Sequence, residues 1–184
     1  MLRSLVGSEM CIRDSIEPLG IEVYMAASVE DAVEGADIIT TCTADKAQNT
    51  ILDYSLVRPG VHINGVGGDC PGKTELDARI LDDATVFVEF PPQTRIEGEI
   101  QNKGDDFEVV ELWKAIAGKH EGRTSDEEIT LFDSVGFAIE DFSALRYLRD
   151  SVAGTEFEEF IDLVADPDDP KDLFSLTTNV LSPL

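Results

Sequence analysis

The sequence has few basic residues for its length. Fourteen Lys and Arg stand against 38 Asp and Glu, which gives a formal net charge of −24. A surface of that sign repels nucleic-acid phosphates and anionic lipid headgroups. We therefore expect neither nucleic acid nor a membrane surface among the partners of this protein.

Cysteine and histidine are also scarce. Cys11, Cys42 and Cys70 are widely separated, and no two of them form a CxxC pair. His62 falls in a predicted strand, and neither it nor His120 has metal-ligand spacing to another ligand. The pattern indicates no disulfide framework, no zinc site and no Ser/His/Asp arrangement. We expect no bound metal.

Long hydrophobic runs are missing as well. No stretch approaches the ~20 apolar residues that a membrane-spanning helix needs, and the N-terminus lacks the pattern of a secretory signal. The 184 residues, with 42% hydrophobic content, are enough for one ordinary domain with a sizeable core. We expect a globular, cytoplasmic protein.

Residues 1–15, MLRSLVGSEMCIRDS, have no clear periodicity. They are similar to the translated read-through of a sequencing adapter, a contaminant of assembled reads. We expect a non-native leader here and leave it out of the fold prediction.

From Ile16 onward, short hydrophobic runs alternate with helical patterns. Short links join them, and Ser28 stands three residues before Asp31 as a helix cap. This alternation is typical of a parallel α/β sheet. The predicted strands are residues 21–25, 36–43, 61–64, 85–90 and 129–133; the predicted helices are residues 29–34, 75–82, 109–117 and a last helix of four to five turns after Gly136.

Three polar segments follow predicted strands. Thr43 ends the strand over residues 36–43, and the glycine-rich residues 65–69 follow the next strand. Ligands bind outside the carboxyl ends of strands in open α/β sheets, so both segments are predicted to share one rim. Ser134 follows the last strand and is predicted to start the last helix, where free N–H groups favour a polar or anionic ligand group.

The glycine-rich segment is the candidate site. Four glycines in eight positions, residues 65–72, remove Cβ atoms where a ligand or another backbone segment comes close. Asp69 is the best acid/base candidate, since an enclosed ligand can tune the pKa of such a carboxylate. Small residues, hydroxyls and Lys73 suit a nucleotide better than a metal. The pattern leaves open a plain glycine-rich turn, a solvated Lys73 and a Ser134 that only caps a helix.

The chain resembles the ornithine cyclodeaminase and mu-crystallin family in four ordered segments, GADIITTCTADKA, HINGVGGDCPGKTEL, VFVEFPPQTRIEGEIQ and TLFDSVGFAIED. The GGDCPGKTEL version is most similar to ornithine cyclodeaminases, because relatives such as alanine dehydrogenases vary around the acid. The resemblance implies a partial Rossmann-like, mostly parallel NAD-binding domain over residues 16–135. It also implies a C-terminal helix and acidic tail over residues 136–184 that return to a substrate and dimer domain.

The resemblance implies an enzyme that deaminates L-ornithine with bound NAD and no net redox change. In the family, NAD+ takes hydride from Cα to give an imine, the δ-amine attacks, ammonia leaves, and returning hydride gives L-proline. Such an enzyme serves ornithine catabolism and proline biosynthesis, and the complete protein is a homodimer.

The resemblance also assigns roles to single residues. Asp69 matches the family's acid/base residue, which also contacts the substrate. Val135 matches a second substrate contact. The residues that match cofactor contacts are Thr43, Val66, Gly67, Gly68, Lys73 and Ser134.

The resemblance covers only about the C-terminal half of a family member. The substrate domain, the first glycine phosphate loop and the acid that holds the adenine ribose fall outside it, which leaves both NAD and NADP open. We expect the chain as written to be inactive. Two alternatives stay open: an NAD(P)-dependent imine reductase or amino-acid dehydrogenase of the same family, and a non-catalytic, crystallin-like nucleotide-binding protein.

Overall fold

A computed structural model describes residues 16–43, 49–160 and Lys171. The chain divides into two compact units, Met1–Phe137 and Ala138–Leu184. The first unit holds a five-stranded sheet in the order β1-β2-β5-β3-β4, in which all neighbouring strands are parallel. The strands are β1 Ile38–Thr41, β2 His62–Gly65, β3 Ala84–Val88, β4 Val110–Glu111 and β5 Ile129–Asp133. The α/β prediction with a parallel sheet is confirmed.

One face of the sheet carries the hydrophobic core. Side chains alternate across a strand, so every second residue of β1, β2 and β5 points to this face. Ile63 is fully buried and pairs with Ile39 on one side and with Leu131 on the other. Helices and loops supply the rest of the core, which includes Leu52, Leu76, Ile80, Leu81 and Ile100.

The opposite face is polar where β2 meets β5. His62 lies within hydrogen-bond distance of Thr130 Oγ1 through Nδ1 (2.8 Å) and of Asn64 Oδ1 through Nε2 (3.1 Å). Both ring nitrogens therefore have partners within the sheet, which agrees with the prediction of a strand histidine.

The helices are short except for the last. Ser28 caps the first helix by accepting a hydrogen bond from the backbone N–H of Asp31 (3.2 Å), as predicted. The α-helices are α1 Val29–Val33, α2 Arg79–Asp83, α3 Pro91–Glu97, α4 Leu112–Ile116 and α5 Ala138–Val152, and 3-10 turns cover Glu17–Leu19, Tyr54–Leu56 and Glu99–Asn102.

Two predicted elements are wrong. Residues 21–25 form no strand; they pair with no other strand among the described residues, and Tyr24 is exposed. Residues 75–82 are not one helix, because the Glu75 carbonyl, which a helix would use as an acceptor, accepts the N–H groups of Ile51 and Leu52 instead. The helix α2 begins only at Arg79.

The predicted helix over residues 109–117 divides into two elements. Val110–Glu111 joins the edge of the sheet as β4, paired in parallel with β3. The helix α4 covers only Leu112–Ile116. Pairing to the neighbouring strand prevails over the helical spacing of apolar residues in this segment.

The second unit contains the predicted last helix, α5, whose 15 residues form about four turns. Phe142, Leu145 and Leu148, spaced three residues apart along this helix, are exposed. Within the described ranges, none of the helices is apolar and long enough to cross a membrane. The predicted leader, residues 1–15, lies outside the described residues.

Gly60 precedes β2 at a close contact with another loop. Its φ is +82°, and a Cβ added there would lie 2.4 Å from the carbonyl oxygen of Asp126. We expect Gly60→Ala to lower the free energy of unfolding by about 3 kcal/mol, because left-handed backbone and a steric clash both act against it. Urea unfolding measures the loss.

Gly118→Ala is the matched control. Gly118 has a φ of +67°, but nothing lies within 4 Å of an added Cβ. We expect a loss of roughly 1 kcal/mol there, from the backbone alone. Equal losses in the two variants would contradict the role of the Asp126 contact.

Candidate functional site

Three neighbouring strands end at one rim of the sheet. Gly65, at the end of β2, pairs with Thr41 of β1 and with Asp133 of β5. The N–H of Val66 donates to the Thr41 carbonyl, and the N–H of Ser134 donates to the Gly65 carbonyl, both at 3.0 Å. The segments that leave β1, β2 and β5 therefore begin side by side.

Lys73 connects two of these segments. Its side chain is only 3% exposed, and Nζ donates to the Thr43 carbonyl at 3.0 Å and to Asp69 Oδ1 at 3.3 Å. The Asp69 side chain is 68% exposed. The hydrogen bond from Lys73 holds the pKa of Asp69 below its usual range. The structure thus brings Thr43, Asp69 and Lys73 together, with an ionised carboxylate facing solvent and a buried lysine, not a solvated one, behind it.

The glycines of the loop are required by packing within the protein. A Cβ added at Gly67 would lie 1.8 Å from the Glu75 carboxylate, and one at Gly68 would lie 3.2 Å from the Glu97 carbonyl oxygen. Within the described part of the chain, the backbone N–H groups of Gly67 and Gly68 donate no hydrogen bond. Both glycines are buried at the carboxyl end of a central strand, and their N–H groups have no acceptor within that part of the chain.

Ser134 does not cap the last helix. Helix α5 begins at Ala138, four residues further on, so the predicted helix start at Ser134 is wrong. The Ser134 hydroxyl donates to Glu89 Oε1, and the N–H of Val135 lies 3.4 Å from Glu89 Oε2. Glu89 follows β3 and holds both predicted contact residues at the rim.

Three buried carboxylates lie beneath the rim. Asp133 accepts the N–H groups of Glu99 and Ile100, each at 2.9 Å. Glu99 accepts the N–H groups of Glu75 at 2.7 Å and Leu76 at 3.1 Å. We call Asp133, Glu99 and Glu75 the carboxylate ladder, because the first two each bind the backbone that carries the next one.

The last member of the ladder reaches Thr43. Glu75 Oε1 accepts the Thr43 backbone N–H at 3.0 Å and also the Thr43 hydroxyl. Burial raises the pKa of Glu99 to about 7 and that of Asp133 to about 6, against the bound N–H groups, which act in the opposite direction.

The sequence prediction missed the ladder and Glu89. One signal for it is present in the sequence. Asp133 lies on the inward side of an alternating strand, where a hydrophobic residue is expected. A buried acid is rare unless it is paired.

The arrangement offers main-chain donors, a hydroxyl and one exposed carboxylate along a single rim. In residues 16–43 and 49–160 no group of three or more His, Cys, Asp or Glu is placed to hold a metal ion. The rim is suited to binding a polar ligand and to moving a proton through Asp69.

Residues 3–156 match the family described as ornithine cyclodeaminase/mu-crystallin. The chain is 60% identical over 166 residues to an ornithine cyclodeaminase of Agrobacterium fabrum, an alignment that covers 90% of this chain and 47% of that protein. A second ornithine cyclodeaminase, from Brucella suis, is 59% identical over 166 residues, with 90% and 46% covered. The chain spans about half the length of these relatives.

Solved structures of similar proteins share the fold. An archaeal alanine dehydrogenase dimer with bound NAD has a TM-score of 0.73 at 30% identity and covers 83% of this chain and 48% of its own. A lysine cyclodeaminase has a TM-score of 0.66 at 32% identity, with 77% and 41% covered. The sheet described above thus belongs to a fold that an NAD-bound amino-acid dehydrogenase also has.

The ladder makes stability depend on pH. The pKa of Glu99 is raised from 4.5 to about 7, so the folded state keeps a proton that the unfolded state releases. This contribution to stability is complete below pH 4.5 and is lost as the pH rises through 7. Asp133 acts in the same direction, because its pKa is raised from 3.8 to about 6.

We expect the urea concentration at the unfolding midpoint to decrease as the pH is raised from about 5 to about 7.5. The decrease is expected to be smaller in Glu99→Gln, which removes one titrating group. Glu121→Gln is the matched control, because it removes the same charge at an exposed position. Parallel pH profiles for the two variants would rule out Glu99 as a source of the dependence.

Proposed function

The chain belongs to the ornithine cyclodeaminase/mu-crystallin family, and on that premise we propose that the full-length protein converts L-ornithine to L-proline and ammonia. The identity of 60% to an ornithine cyclodeaminase over 90% of this chain is the observation that carries the proposal. An alanine dehydrogenase of Archaeoglobus fulgidus is only 36% identical, over 69% of this chain and 41% of that protein. The proposal concerns the full-length protein, because the relatives are about twice as long as this chain.

The residues of the rim fit a nicotinamide dinucleotide. The N–H groups of Gly67 and Gly68, which have no acceptor among the described residues, match the main-chain donors that such ligands use in α/β folds. We assign NAD because similar structures contain it, among them the archaeal alanine dehydrogenase and an iminosuccinate reductase in complex with NAD+. The residues proposed to hold it are Thr43, Val66, Gly67, Gly68, Lys73 and Ser134.

Bound NAD+ would accept the hydride of ornithine Cα, and the resulting NADH would return this hydride at the end of the reaction. Asp69 is the proposed proton carrier. Its carboxylate is exposed and kept ionised by Lys73, so it accepts a proton from a substrate amine before it can return one to the leaving ammonia. Val135, beside Ser134 on the same rim, is the proposed second substrate contact.

We propose that the full-length protein is a homodimer. The archaeal alanine dehydrogenase is described as a dimer, and Phe142, Leu145 and Leu148 of α5 present an exposed apolar stripe. Light scattering on the full-length protein is expected to give the mass of two chains, and a monomer mass at micromolar concentration would count against the proposal.

The function is tested by product analysis with the full-length protein. We expect proline and ammonia in equal amounts from L-ornithine, a requirement for NAD+ and no net formation of NADH. Steady accumulation of NADH would instead indicate an amino-acid dehydrogenase of the same family. The 184-residue chain, assayed in parallel, is expected to give no turnover and weak NAD+ binding.

Asp69→Asn tests the proton carrier. Loss of the base is expected to lower kcat by about a hundredfold or more, while the dissociation constant for NAD+ changes by less than about twofold. Asp105→Asn is the control, since Asp105 is also exposed but lies outside the rim. If Asp69→Asn loses NAD+ binding as well, the residue has a structural role.

A further inference from the structure

The Glu75 carboxylate lies between two segments of the rim. The residue is 1% exposed, and Oε1 accepts both the N–H and the hydroxyl of Thr43. On the other side, the carboxylate occupies the space that a Cβ of Gly67 would take, at 1.8 Å from Oε2. One side chain therefore contacts the segment after β1 and the loop after β2.

The Glu75 carboxylate accepts hydrogen bonds through one oxygen only. Its second oxygen, Oε2, is buried and has no hydrogen-bond partner among the described residues. A buried carboxylate oxygen without a partner lowers stability. An apolar side chain at this position would avoid that cost, so the contribution of Glu75 is better explained by what it holds than by stability.

The Thr43 main chain is held from both sides. Glu75 binds its N–H, and Lys73 Nζ donates to its carbonyl at 3.0 Å. Lys73 and Glu75 are two residues apart, and residues 73–75 are not helical. A buried cation and a buried anion on one short segment thus fix the orientation of a single residue at the rim.

Glu75 is itself rigidly placed. Its N–H donates to Glu99 at 2.7 Å, and its carbonyl accepts the N–H groups of Ile51 at 2.7 Å and Leu52 at 3.1 Å. The main chain of Glu75 cannot shift without breaking these bonds. Supports of this kind hold binding groups within the tolerance that a ligand requires.

We propose that Glu75 is a positioning residue for the dinucleotide site: its carboxylate fixes Thr43 and the Gly67 loop relative to each other. The inference rests on the proposed function, in which Thr43, Gly67 and Gly68 contact the dinucleotide. Glu75 does not touch the ligand in this proposal and acts through those residues.

A double-mutant cycle in the full-length protein tests the proposal, with the NAD+ dissociation constant measured by calorimetry. Glu75→Ala is expected to weaken NAD+ binding about tenfold, because Thr43 loses the acceptor that fixes its position at the rim. Glu75→Gln keeps an acceptor for Thr43 and is expected to bind NAD+ within about threefold of the wild type. Glu121→Ala, at an exposed position, serves as the control.

Gly67→Ala closes the cycle. In the presence of Glu75 the added Cβ meets the carboxylate, so NAD+ binding is expected to weaken about tenfold. In the Glu75→Ala background that contact is gone, and the same change is expected to have less than about a threefold effect. Independent, multiplicative effects of the two substitutions would overturn the proposed link between Glu75 and the loop.

A second readout separates this inference from the proposed function. Amide hydrogen exchange at Thr43, measured without NAD+, is expected to be faster in Glu75→Ala than in the wild type. Unchanged exchange at Thr43, or a lower melting temperature with unchanged NAD+ affinity, would overturn the positioning role.

If the wild-type protein binds no NAD+, the proposed function fails, and Thr43 exchange alone decides whether Glu75 positions this segment. If Glu75→Ala does not fold, Glu75→Asp replaces it, because the shorter side chain withdraws the carboxylate from Thr43. An NAD+ affinity of the Glu75→Asp variant equal to that of the wild type would then overturn the proposal.

Discussion

Burial of three carboxylates in the floor of the rim is the constraint on which the rest of the structure depends. A buried carboxylate is stable only when hydrogen-bond donors replace the water it has lost. Here backbone N–H groups supply most of those donors, two to Asp133 and two to Glu99. Each acid thereby fixes the position of the backbone that donates to it, and the last residue fixed in this way is Thr43.

The ladder explains local features that have no explanation on their own. The Glu75 main chain is held by Glu99 through its N–H and by Ile51 and Leu52 through its carbonyl, so residues 75–78 stay outside α2. A Cβ at Gly67 would meet Glu75, and one at Gly98 would lie 2.6 Å from Asp133 Oδ1. Glycine is needed at both positions because an acidic side chain occupies the space that a Cβ would take.

The rim separates support from chemistry. The ladder and Lys73 are buried and hold main chain, whereas the Asp69 side chain is mostly exposed and meets Lys73 at 3.3 Å. A proton carrier must reach its substrate, and a support must not move. This division agrees with the proposed roles. We expect substitutions around Asp69 to be tolerated better than substitutions of the buried residues beneath the rim.

Several features were determined by the sequence alone. Hydrophobic runs alternating with helical patterns were enough to predict the parallel α/β sheet, the Ser28 cap and a shared rim for Thr43, residues 65–69 and Ser134. The reason is that side-chain periodicity is a local property, and strands that alternate with helices return in the same direction. The quoted family segments also led to Asp69 and Lys73.

Tertiary structure alone decided what holds these residues. The bonds from Glu75, Glu99 and Asp133 join residues that lie 23 to 34 positions apart, and no local pattern specifies such partners. Residues 75–82 have helical spacing, but the long-range bonds from Ile51 and Leu52 to the Glu75 carbonyl prevail over it. Whether an acid faces solvent, like Asp69, or supports a loop, like Glu75, depends on which distant backbone donors the fold brings to it.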